Sequence, residues 1–461
     1  MEWITQRLDF LKSDLGSLEF SSEGSFKIRT VILRKADKRP NVLDFTTEDA
    51  FLQWLESEKS PLELPGLVLV MHHRPNTTDP RGARSLPYEE STFKKVAQKL
   101  YQHRSLSLLF KRASTALVTH KPVAWEGGLT PLASTVYNCK SDTENPPVLN
   151  SPNDVALSVT SFPTRGTAYA VMYGCTQPVL DLTVKCLKNT GGQALHPLIM
   201  PVIFAELERK RLLDLLDMEK TSLEQRILEL ESKLRGEDQN SISEKADSEP
   251  VLRTRDCEST KLWIDVSKLQ NGLHSLRIQL QNMVEHSENL AATYYKPPSE
   301  DSGEIDEHLE VRRAGAKIQM RLREIIDELG SKIRSCESLL GGMSLAAQME
   351  SNYYTRRDAK VSIIIANATK RDGSQMRSIS LLGMIFLPGT FLASLFSMSF
   401  FNWTPPDGNQ IISPWIALYG VLVIVITLIT VWSMRKWMEA EEKKARDQMA
   451  REVNSDSDSI V

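Results

Sequence analysis

The sequence has few cysteines, little net charge and no recognisable catalytic motif, and each shortage argues against a class of protein. The five cysteines are scattered without a CxxC pair, which indicates reduced thiols rather than a disulfide framework or a zinc site. They are Cys139, Cys175, Cys186, Cys257 and Cys336. A net charge of −3 over 461 residues gives no reason to expect nucleic acid as a partner.

No Ser/His/Asp, HExxH, Walker or GxGxxG pattern occurs at a convincing spacing, so we predict neither an enzyme nor a resident cofactor. His72 and His73 are adjacent and would point to opposite faces of a strand, which favours ordinary strand-end residues over metal ligands. The first twenty residues lack the apolar core of a signal peptide and the acid-poor character of a transit peptide. Membrane insertion is therefore expected to depend on later segments.

Two long uncharged runs lie near the end of the chain. The first, Ile379–Phe401, would reach roughly 34 Å as a helix, enough to cross a hydrocarbon core of about 30 Å. Hydroxyl side chains punctuate this run: Ser380, Thr390, Ser394, Ser397 and Ser399. Gly383, Pro388 and Gly389 interrupt it as well. Such a composition is typical of a packed or pore-lining helix rather than a plain lipid anchor.

The second run, Trp415–Trp432, is more uniformly aliphatic and has a tryptophan at each end, where the membrane interface favours amphipathic rings. Between the runs, Asn402–Pro414 carries no Lys or Arg, whereas basic residues flank both outer ends. The positive-inside rule then predicts a two-span membrane protein with both termini cytosolic and a short outward loop. The plasma membrane and an internal membrane both remain open.

The preceding residues predict an α+β cytosolic domain over residues 1–195 and a long-helix stalk over residues 196–378, with a polar loop at 236–256. Strands are predicted at Phe26–Arg34, Gly66–His72, Thr115–Thr119, Ser134–Cys139, Val155–Phe162, Thr167–Tyr173 and Val179–Cys186. Helices are predicted at Thr47–Ser57 and Glu89–His103, and the stalk is predicted to contain three long helices. The turn signal at Pro163–Gly166 predicts that Val155–Tyr173 is a hairpin. The remaining predicted segments are a first span at 379–401, an outer loop at 402–414, a second span at 415–434 and a charged cytosolic tail at 435–461.

The run Ile385–Phe400, IFLPGTFLASLFSMSF, resembles the first transmembrane helix of the CorA family of divalent-cation transporters, and especially its divergent fungal CorA-like members. The resemblance implies a cytosolic α/β domain, a helical stalk, two C-terminal spans and a homopentamer whose first span lines a central pore. Stepping back from Thr390 by threes and fours then gives Leu387, Gly383, Ile379 or Ser380, and Met376 as pore-lining residues. A helix-packing face using Gly383, Gly389 and Ser394 is the alternative.

The family signature Gly-Met-Asn reads Ser397-Met398-Ser399 in this chain, at the expected outer mouth of the pore. A hydroxyl at Ser399 is shorter than the family's amide but still hydrogen-bonds to the water around a hydrated Mg²⁺. Asp407 would be the acid that attracts cations in the outer loop, or else a turn residue. The resemblance implies passive transport of divalent cations, most of all magnesium. A zinc or other transition-metal transporter and a non-conducting membrane scaffold remain alternatives, and the sequence places no regulatory metal site.

The predicted hairpin is testable by labelling a cysteine placed at Asn409, in the outer loop. Because that loop lacks Lys and Arg, an impermeant thiol reagent should label Asn409→Cys when applied from outside and not from the cytosolic side. The wild-type chain serves as the control for native thiols. Labelling from the cytosolic side would contradict the topology.

Overall fold

The structure, a computed structural model, describes most of the chain. The described residues are 9–20, 26–35, 37, 39–57, 65–74, 82–111, 115–125, 132–148, 151–190, 196–237, 249–296, 308–397 and 414–458. The chain divides into two compact units, residues 1–350 and residues 351–461, which are described separately.

The first unit contains an α/β domain. Its strands are β1 (Glu19–Phe20), β2 (Ile28–Arg34), β3 (Asn41–Phe45), β4 (Gly66–His73), β5 (Ser85–Leu86), β6 (Leu117–Trp125), β7 (Leu132–Lys140), β8 (Ala156–Phe162) and β9 (Thr167–Cys175). Its shorter helices are α1 (Lys12–Leu15), α2 (Glu48–Ser57), α3 (Glu90–Lys99), α4 (Ser107–Lys111) and α5 (Gln177–Thr190). The long helices of the chain are α6 (Ile199–Glu237), α7 (Glu249–Tyr294), α8 (Leu309–Phe396) and α9 (Pro414–Asp458).

Among the described residues, seven strands form one sheet in the order β3-β2-β4-β9-β8-β7-β6, in which β4 and β9 pair in parallel and the other neighbours pair antiparallel. Alternate residues of β4 serve opposite faces, as the two-residue period of a strand requires. Leu67 and Leu69 join a core with α5 and α6, whereas Val68 and Val70 join one with Phe51 and Phe93 of α2 and α3. Helices therefore cover both faces of the central strands.

Most of the predicted elements are confirmed, including the β8–β9 hairpin and helices α2 and α3. The hairpin turns through Pro163–Arg165 and then Gly166, whose φ of +61° is in the left-handed region that glycine adopts without strain. The edge strand β3 was not predicted. Strand β6 runs beyond the predicted Thr119, through Pro122, because an edge position tolerates a residue that cannot donate a backbone hydrogen bond.

The predicted strand Val179–Cys186 is wrong, because these residues lie in helix α5. The buried positions of α5 are Val179, Leu180, Thr183, Val184 and Leu187. This spacing of one and three residues gives one face of a helix, which packs on the sheet. β-branched composition therefore misled the assignment, and packing on the sheet overrode the weak helix propensity of these residues.

The three long helices predicted before the membrane are confirmed in the first unit as α6, α7 and the first part of α8. Their buried leucines and isoleucines recur every three or four residues, as in Leu212–Leu215–Leu216 of α6 and Leu322–Ile325–Leu329 of α8. Residues 249–256 of the predicted polar loop belong to α7, where Pro250 occupies the first turn that proline tolerates. Residues 238–248 of that loop lie outside the described residues.

A buried polar network joins the segment after β7 to α6. The Arg211 guanidinium donates to the carboxylate of Glu208 and to the backbone oxygens of Asp142 (3.0 Å) and Pro146 (2.9 Å). The Asp142 N–H in turn donates to Glu208 at 2.9 Å. Because Arg211 and Glu208 are both buried, removing either one would leave the other charge uncompensated. The network therefore holds the loop between β7 and β8 against α6.

His72, on β4, is held in its neutral form. Its Nδ1 lies 3.1 Å from the carbonyl oxygen of Met172 and must donate to it, so Nε2 accepts from the Tyr88 hydroxyl at 2.8 Å. The ring also stacks on Tyr173. Burial lowers the pKa of His72 to about 4. The two hydrogen bonds and this pKa indicate a structural role in the core rather than a metal ligand.

Acidification should destabilise the protein through His72. The pKa of His72 is about 6.5 in the unfolded chain and about 4 in the folded chain. Between these two pH values the unfolded chain binds a proton at His72 and the folded chain does not, so the free energy of unfolding falls as the pH is lowered. His72→Gln removes this titration and should reduce the loss of stability between pH 7 and pH 5 by on the order of 1–2 kcal/mol. Thermal unfolding of the full-length protein at both pH values measures it. An unchanged pH dependence would contradict the assignment, and His274→Gln, at an exposed position, is the control.

Candidate functional site

Two helices of the structure are long and apolar enough to cross a membrane. One apolar run lies within α8 and the other within α9, at Ile416–Trp437. Almost none of either run is buried inside the chain, which distinguishes both from the core helix of a soluble protein. The predicted fold class, an α/β domain followed by long helices and two C-terminal apolar helices, is therefore confirmed. The exposed apolar helices fit a membrane-anchored protein.

Helix α9 covers one face of the α8 run. Leu392 is only 4% exposed, and the Tyr419 hydroxyl lies 3.4 Å from the Gly389 carbonyl oxygen. A Cβ added at Gly389 would lie 3.9 Å from Val423 Cγ1. This is an ordinary contact distance, so the position has room for a small residue but a large side chain would meet Val423. Gly389 is one of the residues of the packing face predicted from the sequence as the alternative to a pore-lining face, but no local sequence signal pairs it with Tyr419 and Val423.

The predicted pore-lining residues lie on the face of α8 that α9 leaves uncovered. Met376, Ile379 and Leu387 are 70%, 71% and 73% exposed, and nothing lies within 4 Å of a Cβ added at Gly383. Ser380 and Thr390 are exposed as well. All of these positions recur at three- and four-residue steps, so they form one continuous stripe along the helix.

The hydroxyl of Thr390, and that of Ser394 one turn farther along the same face, have partners within their own helix. Thr390 Oγ1 donates to the carbonyl oxygens of Phe386 (3.1 Å) and Leu387 (3.0 Å), and Ser394 Oγ donates to that of Thr390 (3.0 Å). Each donor is therefore satisfied without water, and each hydroxyl oxygen keeps lone pairs that can accept from another molecule. The helix also continues through Pro388 to Phe396.

The predicted mouth is described only at its first residue. Ser397 is exposed, and its N–H donates to the Ala393 carbonyl oxygen at 3.0 Å, one turn before the end of the described segment. Met398, Ser399 and Asp407 lie outside the described residues. The role of the Ser397-Met398-Ser399 sequence and of the outer loop stays a prediction.

The paired histidines and the cysteines are the remaining candidates for metal ligands or reactive groups. Within the described ranges, no group of three or more His, Cys, Asp or Glu residues could hold a metal ion. His73, the neighbour of His72, is half-buried near Lys27, Arg29 and Asp44, and burial lowers its pKa. Burial also raises the pKa of Cys175 to about 12, which keeps that thiol protonated and unreactive.

Comparison with known proteins finds weak structural likenesses. No protein-family model matches the chain, and no curated protein matches it. The full-length CmaX protein is similar at 14% identity over 90% of this chain and 99% of that chain, with a TM-score of 0.37. The ZntB cytoplasmic domain from Vibrio parahaemolyticus is similar at 10% identity over 73% of this chain and 100% of that chain, with a TM-score of 0.34. With TM-scores this low, the function of neither protein is transferred to this chain.

Two glycines of α8 provide a matched test of the α8–α9 contact. Gly389→Leu should overpack the contact with Val423 and destabilise the helix pair by about 1–3 kcal/mol, whereas Gly383→Leu points into open space. Thermal unfolding of the full-length protein measures the difference, in a detergent chosen so that the chain runs as a monomer. Equal destabilisation by both variants would contradict the assignment of the covered face.

Proposed function

We propose that the protein transports divalent metal cations across a membrane, through a pore that copies of α8 form around a common axis. The observation that carries the proposal is the uncovered stripe of α8, which combines hydroxyl-bearing and small residues with apolar side chains that are among the most exposed of the described residues. Ser380, Thr390 and Ser394 place hydroxyl oxygens on this face that can accept hydrogen bonds from water, which lipid tails cannot donate. Within one chain, α9 covers only the other side of α8, so other copies of the chain are the natural cover for the stripe.

The resemblance of Ile385–Phe400 to the CorA family supports five copies and magnesium as the cargo. The hydrated ion would meet the Ser397-Met398-Ser399 mouth first, where hydroxyls bind its water shell without stripping it. Rings of Leu387 and Met376 farther along would form apolar constrictions that gate by excluding water. An inside-negative potential would drive entry by about 2.3 kcal/mol per unit charge for each 100 mV.

The orientation follows from the flanking charges. Both termini would be cytosolic, and Asp407 in the outer loop would attract cations toward the mouth. A pore that contacts the ion through water needs no His or Cys ligands, so zinc or another transition metal is an alternative cargo. In this proposal the protein is a transporter and not an enzyme.

A second candidate function, a non-conducting membrane scaffold of the same architecture, is favoured by the hydrogen bonds of the stripe. Because Thr390 and Ser394 donate to carbonyl oxygens of their own helix, their face does not require water to satisfy its donors. Copies of α8 could then pack stripe against stripe without leaving a path for ions.

Flux measurements on the full-length protein in liposomes decide between the two. Wild-type protein should carry Mg²⁺ above the level of empty liposomes, and Zn²⁺, Co²⁺ and Ni²⁺ measured in parallel identify the preferred cargo. Leu387→Asn should wet the proposed constriction and raise the flux several-fold. Leu382→Asn is the matched control, because Leu382 is also exposed but lies off the stripe. Absence of flux for every ion and variant, with assembly intact, would reject the transporter and support the scaffold.

A further inference from the structure

We propose that Asp358 and Asp372 make the cytosolic approach to the pore selective for cations, an inference that rests on the transport function proposed above. Both lie on α8 in the second unit, before the apolar run, and both are exposed. Within the described part of the chain, neither forms an ion pair. Their position around the helix is what singles them out.

The pore-lining stripe extends back from Met376 along the same helix. Asp358 is about five full helical turns before Met376, which brings it to the same side, and Asp372 is about one turn before it. Between the two carboxylates the same spacing passes through Val361 and Ile365, both exposed. Asp358 and Asp372 therefore belong to the stripe that Leu387, Gly383 and Met376 define farther along.

The basic residues of this segment lie elsewhere on the helix. Residues 351–378 contain six of them: Arg356, Arg357, Lys360, Lys370, Arg371 and Arg377. At about 100° of rotation per residue, every one of them points at least about 100° away from the direction of Met376. The segment is basic as a whole, yet its two negative charges alone share the stripe.

The separation has a physical consequence once the stripe faces an axis. Copies of Asp358 and of Asp372 would form two rings of negative charge, roughly 21 Å apart along the helix. At this distance the two rings cannot bind the same ion, and each would attract cations separately. A narrow path lined by one sign of charge concentrates counter-ions, and a divalent cation responds twice as strongly as a monovalent one. The basic residues would point away from the path, where they repel cations least.

The first test measures ion flux through full-length protein in liposomes. Asp358→Asn and Asp372→Asn should each lower Mg²⁺ flux and the preference for cations over chloride several-fold, whereas Arg371→Gln should change neither. The exchange variant, Arg371→Asp with Asp372→Arg, keeps composition and net charge but turns the charges by about 100°. The Mg²⁺ flux of this exchange variant should fall at least as far as that of Asp372→Asn.

Assembly size in detergent must match the wild type for each variant. Unchanged flux and selectivity in Asp358→Asn, Asp372→Asn and the exchange variant, with a conducting wild type, would overturn this inference and leave the transport function standing. A wild type without flux would instead reject the transport function itself.

A second test of the face does not depend on flux. Ile363 and Ile365 are 61% and 60% exposed and lie on different sides of α8. A short bis-maleimide should join copies that carry Ile365→Cys, because position 365 lies on the stripe beside the axis, and should join those with Ile363→Cys at least several-fold more slowly. Faster cross-linking at position 363 would overturn the placement of Asp358 and Asp372 on the path.

Discussion

A hydrocarbon interior offers no hydrogen-bond partner, and the organisation of the C-terminal unit depends on this constraint. Every donor on α8 must find its acceptor within the chain, in another copy or in enclosed water. Thr390 and Ser394 meet the requirement by donating to carbonyl oxygens one turn earlier, and α9 covers one side at Gly389. What remains is a single uncovered face, whose small and polar residues make it a surface for protein or water more than for lipid. The assembly and the transport proposed above would both follow from this uncovered face.

The sequence was sufficient for features that depend on periodicity and composition. Charge-free runs located both apolar helices, three- and four-residue steps located the long helices, and turn residues located the β8–β9 hairpin. It failed where tertiary packing decides. Val179–Cys186 has the composition of a strand, yet it is helical because one helical face packs on the sheet. Strand β3, Asn41–Phe45, is short and its apolar and polar residues do not alternate, so its strand conformation is recognised only from its pairing with β2.

The candidate site divides in the same way. Spacing alone identified which residues of α8 share a face, since helical geometry is the same in every chain. It could not say which face α9 would cover, because a contact such as Tyr419 with Gly389 joins positions thirty residues apart without a local signal. The stripe predicted from the sequence ends at Met376, close to the start of the uncharged run at Ile379. Charge separation around the helix was visible farther back, at Asp358 and Asp372, once the face was extended into a segment whose overall charge is basic.

The buried ion pair of Arg211 and Glu208 has a consequence for how this chain can evolve. Either side chain alone would be an uncompensated buried charge, at a cost of roughly 3–5 kcal/mol, whereas an apolar replacement of both can be nearly neutral. Arg211 also donates to the backbone oxygens of Asp142 and Pro146, so loss of Arg211 would also release the loop after β7. A single substitution of Arg211 or Glu208 is thus strongly destabilising, and the two residues are expected to change only together. The contact between the β7–β8 loop and α6 would therefore stay the same while the sequence of the surrounding surface changes.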